Sequence, residues 1–159
     1  MTSGGTRATV ALQAAGIPFT PHEYAHHDTA TNYGDEAALM LGLDAEQVFK
    51  TLVVQADTAL VVAVVPVSGR LDLKALAAAV GAKKATLADP DLAQRRTGYV
   101  VGGISPIGQK TPLRTVVDET ADLYDTIFVS GGRRGFDIEI SPADLLLATG
   151  ATFRAIARS

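Results

Sequence analysis

The spacing of apolar and polar positions changes repeatedly along this chain, and the changes mark out helices and strands in alternation. Thr6 to Ala15 has helical spacing and stops at Gly16, and Ile17 to Tyr24, entered through Pro18, reads as a strand. Gly34 to Leu41 is a second helix, ended by Gly42 where a C-terminal glycine commonly sits. Phe49 to Gln55 and Ala59 to Val67 are valine-rich and separated by Ala56-Asp57-Thr58, which predicts a hairpin of two buried strands closed by Ser68-Gly69. Asp72 caps a helix through Val80, with Gly81 behind it. Asp89-Pro90 and Ser141-Pro142 each place a capping side chain before a proline at the first helical position. Further strands are expected near Tyr99 to Val101, Thr115 to Val117, Thr126 to Ser130, Phe136 to Ile140 and Thr152 to Ile156. The alternation predicts a mixed α/β or α+β domain, a strand-rich sheet with helices packed around it.

Length and composition narrow this picture. At 159 residues, 47% of them hydrophobic, the chain is long enough for one domain with a real core and too short for two comfortable ones. Cysteine is absent, so the protein supplies no disulfide, thiolate ligand or thiol nucleophile, and any thiol chemistry must come from a substrate. The most apolar run, Ala59 to Val67, is strand-sized, and MTSGGTRAT lacks the basic and apolar regions of a signal peptide; a soluble, cytoplasmic protein with no membrane partner is expected. A net charge of −3 argues against DNA as a partner and against strong stand-alone RNA binding. The basic clusters Lys83-Lys84, Arg95-Arg96, Lys110 with Arg114, and Arg133-Arg134 read as solvated surface, or as cations lining one face of the folded chain.

Candidate chemistry concentrates in a few segments. In Val101 to Lys110, VGGISPIGQK, Gly102 and Gly103 fall where a short apolar run gives way to a turn, so a ligand can approach main chain there. Neither the third glycine nor the following helix of a dinucleotide fingerprint is present. Lys50 begins a valine-rich strand, on the same side as Leu52 and Val54, either as a strand-end charge reaching water or as a cation held in a cleft. The Thr51 hydroxyl and N–H beside it could meet a ligand. Val129 to Ile140, VSGGRRGFDIEI, adds a second glycine-rich turn bracketed by Ser130 and Asp137, with N–H groups that could form a small anion nest. His22, His26 and His27 crowd near Glu23 and Asp28, but in no zinc spacing, and no metal or cofactor is expected. Ser105 precedes a proline and has no histidine near it in sequence, which leaves a Ser-His-Asp triad remote.

The segments VFKTLVV, VAVVPVSGRLDLKALAAAVGAKK, ADPDLAQRRTGYVVGGISPIGQK and VSGGRRGFDIEI together closely resemble the YbaK family of bacterial Cys-tRNA(Pro) deacylases, in the superfamily of prolyl-tRNA synthetase editing domains. The resemblance covers nearly the whole chain. It implies one α+β domain over residues 1–159 with a mixed, strongly curved sheet flanked by helices, working in trans on mischarged tRNA(Pro) and in partnership with prolyl-tRNA synthetase. It also implies a pocket lined by Tyr24, Tyr33, Lys50, Thr51, Gly103, Ser130 and Asp137, with Gly102 beside Gly103 and Lys50 as the catalytic cation. The chain departs from its close relatives at Tyr33, where they carry phenylalanine. The implied route is attack by the substrate's own thiol, leaving a cysteine thiolactone. An alanine-specific deacylase of the same superfamily, or a non-catalytic module that captures aminoacyl-tRNA or a synthetase, are the alternatives.

Overall fold

The chain is built around a strand with no polar face. Within Ala59–Pro66, Val62 and Val64 pack into one cluster with Phe49, Val53, Ile127 and Phe136, while Val61, Ala63 and Val65 pack into another with Val54, Leu76 and Ile156. A strand buried on both faces must lie inside a sheet covered from two sides, the setting that continuous Val/Ile runs suit.

The computed structural model describes residues 5–26 and 33–159, the side chains of 33 and 34 excepted. In chain order the elements are α1 (Arg7–Ala15), β1 (Thr20–Glu23), α2 (Tyr33–Leu41), β2 (Phe49–Ala56), β3 (Ala59–Pro66), β4 (Arg70–Leu71), α3 (Leu73–Val80), β5 (Ala85–Leu87), α4 (Pro90–Thr97), β6 (Arg114–Asp118), a 3-10 turn (Glu119–Leu123), β7 (Ile127–Arg133), β8 (Phe136–Ile140), α5 (Pro142–Thr149), β9 (Thr152–Arg154) and β10 (Ala157–Arg158). The capping residues behave as their chemistry demands: the side chains of Thr6, Asp72, Asp89 and Ser141 each accept a hydrogen bond from an N–H in the first turn of α1, α3, α4 and α5.

Five strands form a mixed sheet in the order β5-β2-β3-β6-β9; β2 pairs antiparallel with β3 and β5, whereas β3–β6 and β6–β9 are parallel. The expected α+β domain with a mixed sheet flanked by helices is therefore what the chain forms. Among the described residues the strands divide into separate ladders: β1-β8-β7 is a second, antiparallel sheet and β10-β4 a short third. The two larger sheets meet at one seam, where Val48 bridges Phe128 in parallel and the Phe128 N–H donates to the Gln47 carbonyl at 3.1 Å. That seam opens the start of β2 toward β7 and β8.

Several sequence expectations need correction. Tyr99 to Val101 is a loop and not a strand: the Tyr99 hydroxyl donates to the Ile107 carbonyl at 2.5 Å and the Val101 N–H donates to Gln94 Oε1 at 2.8 Å, so local partners replace a neighbouring strand. The glycine pair thus follows a loop after α4. The β2–β3 turn is the two residues Asp57-Thr58, since Ala56 already pairs with Ala59. Asp57 takes φ 54, and its carboxylate accepts from the Lys83 and Lys84 N–H groups at 3.1 Å. The strand expected through Ile156 stops at Arg154, because the Ile156 N–H turns to Asp118 Oδ1 at 2.9 Å. The short strands β4, β5 and β10 have no counterpart among the sequence expectations. Among the described residues no helix is long and apolar enough to cross a membrane.

Candidate active site

A cavity of about 360 Å³ lies at the seam between the two larger sheets. Of the residues singled out from the sequence, Tyr24, Lys50, Thr51, Gly102, Ser130 and Asp137 all contribute to its wall. Their positions follow from pairing. Ser130 and Asp137 are direct antiparallel partners on β7 and β8, and β1 lies on the other side of β8, so Tyr24 leaves β1 beside them with its N–H on the Gly135 carbonyl at 3.0 Å. Lys50 and Thr51 come from the opposing start of β2. The side chain of Tyr33 lies outside the described residues.

Gly103 stands behind the wall, not on it. A Cβ there would sit 2.8 Å from Arg133 Cα and 2.9 Å from the Arg133 carbonyl carbon, so the two glycine-rich segments are packed main chain against main chain. Its N–H, which the sequence left free for a ligand, is held by the Val100 carbonyl at 2.8 Å. Gly131 serves a similar purpose in the β7–β8 hairpin: the register slips between Ser130 and Arg133, and a Cβ on Gly131 would come within 2.3 Å of the Phe136 ring. The supposed nest is partly closed, because the Gly132 N–H donates to Ser130 Oγ at 3.2 Å. Arg134 then ties the hairpin to the loop through two bonds to the Val101 carbonyl, at 2.9 and 2.6 Å.

Two polar groups in this wall have no hydrogen-bond partner among the described residues. Asp137 is 5% exposed, and among the described residues no donor reaches its carboxylate; burial pushes its carboxyl up to about 7. Burial, and then the charge of Asp137, push the neighbouring Tyr24 phenol up as well. Thr51 shares the strand face of Phe49 and Val53, and its buried Oγ1 makes no hydrogen bond among the described residues. Lys50, partly buried on the opposite alternation, extends its Nζ to the Gly69 carbonyl at 3.3 Å. It is thus both a strand-entry charge and part of the cavity wall.

An unpaired buried hydroxyl costs about 1–3 kcal/mol. Thr51→Val, which keeps the shape and removes the orphan, is expected to stabilise the empty protein by about 1 kcal/mol, or 2–4 °C in thermal midpoint. A lower midpoint would mean that the hydroxyl has an undetected partner.

The remaining candidates fall apart in space. His22 Nε2 meets Glu139 Oε1 at 3.0 Å, while His26 Nδ1 meets Glu36 Oε1 at 2.7 Å, in two separate pairs. His27 and Asp28 lie outside the described residues. Among those described, no group of three potential metal ligands gathers. Ser105 is fully buried and its Oγ accepts from the Ile107 N–H at 3.2 Å, a turn-forming role. Sequence reading missed the apolar wall formed by Leu87, Ala88, Pro90, Ala93, Val101 and Ile104. The Asp89-Pro90 helix start was the available signal, since it begins the helix whose Pro90 and Ala93 line the cavity.

EbsC of Enterococcus faecalis, described as a candidate Cys-tRNA(Pro)/Cys-tRNA(Cys) deacylase, is 37% identical over 152 residues, covering 95% of this chain and 92% of that protein. A crystal structure described as a candidate trans-editing enzyme for prolyl-tRNA synthetase matches with a TM-score of 0.87 at 27% identity, across 100% of this chain and 99% of the other. Hypothetical protein APE2540 matches with a TM-score of 0.85 at 26% identity, across 96% and 99%. The sequence also fits the family described as the aminoacyl-tRNA editing domain over residues 27–147, a span that includes the start of β2, the Val101–Gly102 loop and the β7–β8 hairpin. The chain belongs to the aminoacyl-tRNA editing domain family.

Proposed function

We propose that this protein, as one editing domain spanning residues 1–159, removes cysteine in trans from mischarged Cys-tRNA(Pro) by using the cysteine's own thiol. One observation carries the reading: among the described residues, the cavity wall holds a cation and a buried carboxyl but no activated nucleophile. Cysteine is absent from the chain, and among the described residues no histidine contributes to the wall, the Thr51 hydroxyl makes no hydrogen bond, and Ser130 Oγ accepts from the Gly132 N–H. The substrate carries what the wall lacks. A cysteinyl thiol ionises near 8.5 and is tethered next to its own carbonyl, so proximity replaces a protein nucleophile.

In this scheme the sulfur attacks the ester carbon and forms a C–S bond as the C–O bond to the terminal ribose breaks. The thiol proton ends on the released ribose oxygen. Water then opens the thiolactone to free cysteine. Lys50 favours the thiolate or the developing oxyanion, Asp137 with Ser130 orients the amine or ribose, and Tyr24 and Tyr33 close the aminoacyl site. Gly102 and Gly103 shape the main chain that holds the aminoacyl group. The reaction takes place in the cytoplasm, with prolyl-tRNA synthetase supplying tRNA(Pro) selectivity by tethering.

The test is deacylation of Cys-, Ala-, Ser- and Pro-tRNA(Pro), with S-methylcysteinyl-tRNA(Pro) alongside. Only the cysteine ester is expected to turn over, and methylation to reduce cleavage to the spontaneous rate. Rapid cleavage of the methylated ester would replace substrate assistance with activated water. Preference for alanine would assign the alanine-specific activity, and no turnover of any ester would leave a binding module.

A further inference from the structure

Beyond the cavity wall, the fold brings together cations that lie apart in the sequence. Gly98, which ends α4, is the meeting point: a Cβ there would stand 3.2 Å from Arg7 Cδ, on α1, and 3.2 Å from Lys110 Cβ, in the loop before β6. Hydrogen bonds to main-chain carbonyls hold the arrangement. The Lys110 N–H donates to the Thr97 carbonyl at 2.8 Å, the Thr111 N–H to the Arg96 carbonyl at 2.9 Å, and Arg7 Nε to the Gly108 carbonyl at 3.1 Å. Arg7, Arg95, Arg96 and Lys110 are all exposed, and among the described residues none forms a salt bridge. Asp91, four residues before Arg95 on α4, is not within ion-pair distance of it.

The patch and the cavity share α4. Pro90 and Ala93 of α4 line the cavity, and Arg96 lies one turn beyond Ala93 on the same helix. Val101 and Gly102 line it from the other side, and Arg134 covers the Val101 carbonyl. In a chain of net charge −3, exposed cations brought to one region with no salt-bridge partner among the described residues repel one another. An anion seated among them relieves that repulsion.

Building on the proposed deacylase function, we infer that Arg7, Arg95, Arg96 and Lys110 form a phosphate-binding patch for the acceptor end of aminoacyl-tRNA, gripping the backbone next to the charged terminal adenosine while the ester enters the cavity. The number of cations limits the grip to a few phosphates, so binding by the isolated protein is weak and only moderately salt-dependent. The contacts carry no sequence information, in keeping with selectivity supplied by a synthetase.

The experiment compares wild type, Arg96→Glu/Lys110→Glu, and Lys83→Glu/Lys84→Glu, which changes the net charge equally beside the Asp57 turn. Each is assayed on Cys-tRNA(Pro) and on 3′-cysteinyl-adenosine, and for binding of uncharged tRNA(Pro) across a salt series. The patch variant is expected to lose about tenfold in kcat/KM on the tRNA, to lower the log–log salt slope of tRNA binding by about 1–2, and to keep wild-type turnover of the short ester. The lysine control should change tRNA turnover and salt slope far less. The inference is overturned if the patch variant matches wild type on tRNA, if the short ester suffers equally, if the control loses as much, or if wild type shows no salt-sensitive tRNA binding. Loss of prolyl-tRNA synthetase binding with tRNA binding intact would also overturn it, marking an acidic protein surface as the occupant. Failure of wild type to cleave either ester refutes the deacylase reading alone, because the uncharged-tRNA titration still judges the patch.

Discussion

Lys50→Ala is expected to lower deacylation of Cys-tRNA(Pro) roughly a hundredfold or more while leaving the protein folded, the scale on which a preorganised charge at the reacting centre acts. The structural cost is small because the side chain makes one hydrogen bond, at 3.3 Å to Gly69, and its backbone stays in the ladder opposite Val65. Such a bond contributes about 1 kcal/mol. The charge has no acidic partner among the described residues, so its removal strands no buried carboxylate. Lys83→Ala, a surface change, should leave the rate near wild type. A folded Lys50→Ala variant that turns over at the wild-type rate would place the chemistry elsewhere.

The second large effect concerns stability. Burial holds the Asp137 carboxyl at about 7 against an ordinary 3.8, so between these values the folded protein keeps a proton that the unfolded chain releases. The sign follows: this group's contribution is full below pH 4, falls as pH rises toward 7, and is lost above it. Asp137→Asn mimics the protonated form and titrates not at all. It is therefore expected to match wild type at pH 4 and to exceed it at pH 8, by up to about 4 kcal/mol if no relaxation intervenes. Denaturant unfolding at the two pH values measures the gap. An equal difference at both would show that Asp137 is already ionised when folded. The same variant should bind cysteinyl-tRNA less well, since a neutral amide cannot pair with an ammonium.

How legible this was from sequence depended on the range of the interactions involved. Caps at Thr6, Asp72, Asp89 and Ser141, and the Phe49 to Val67 hairpin, rest on contacts within a few residues, and local spacing reveals those. Tyr99-Val100-Val101 shows the limit: an apolar triplet suits a strand or a loop, and only Gln94 and Ile107 decide between them. The position of Lys50 at a strand entrance was legible, as was the bracketing of a glycine turn by Ser130 and Asp137. Their convergence with Tyr24 was implied by family resemblance, because sequence spacing alone does not reveal which sheets meet. The apolar wall of Leu87, Pro90 and Ala93 went unseen for the same reason. The basic residues around Gly98 looked like isolated surface pairs because α1, α4 and the loop before β6 are distant in sequence.

The tight approach of Gly103 to Arg133 has a bearing on how the molecule comes into being. The β2–β3 hairpin closes over two residues and can form within microseconds, whereas the parallel β3–β6 pairing and the meeting of the two glycine segments require distant parts of the chain to find one another. The seam joins Val48 to Phe128 and so depends on chain segments far apart in sequence meeting. On the ribosome the β7–β8 hairpin emerges after most of the domain, so a nascent chain carries an exposed Val-rich hairpin before it owns a binding cavity. A bulkier residue at Gly103, whose Cβ would meet Arg133 Cα at 2.8 Å, is therefore expected to obstruct the docking of the two glycine segments while leaving the β2–β3 hairpin intact, and to lower the yield of native protein.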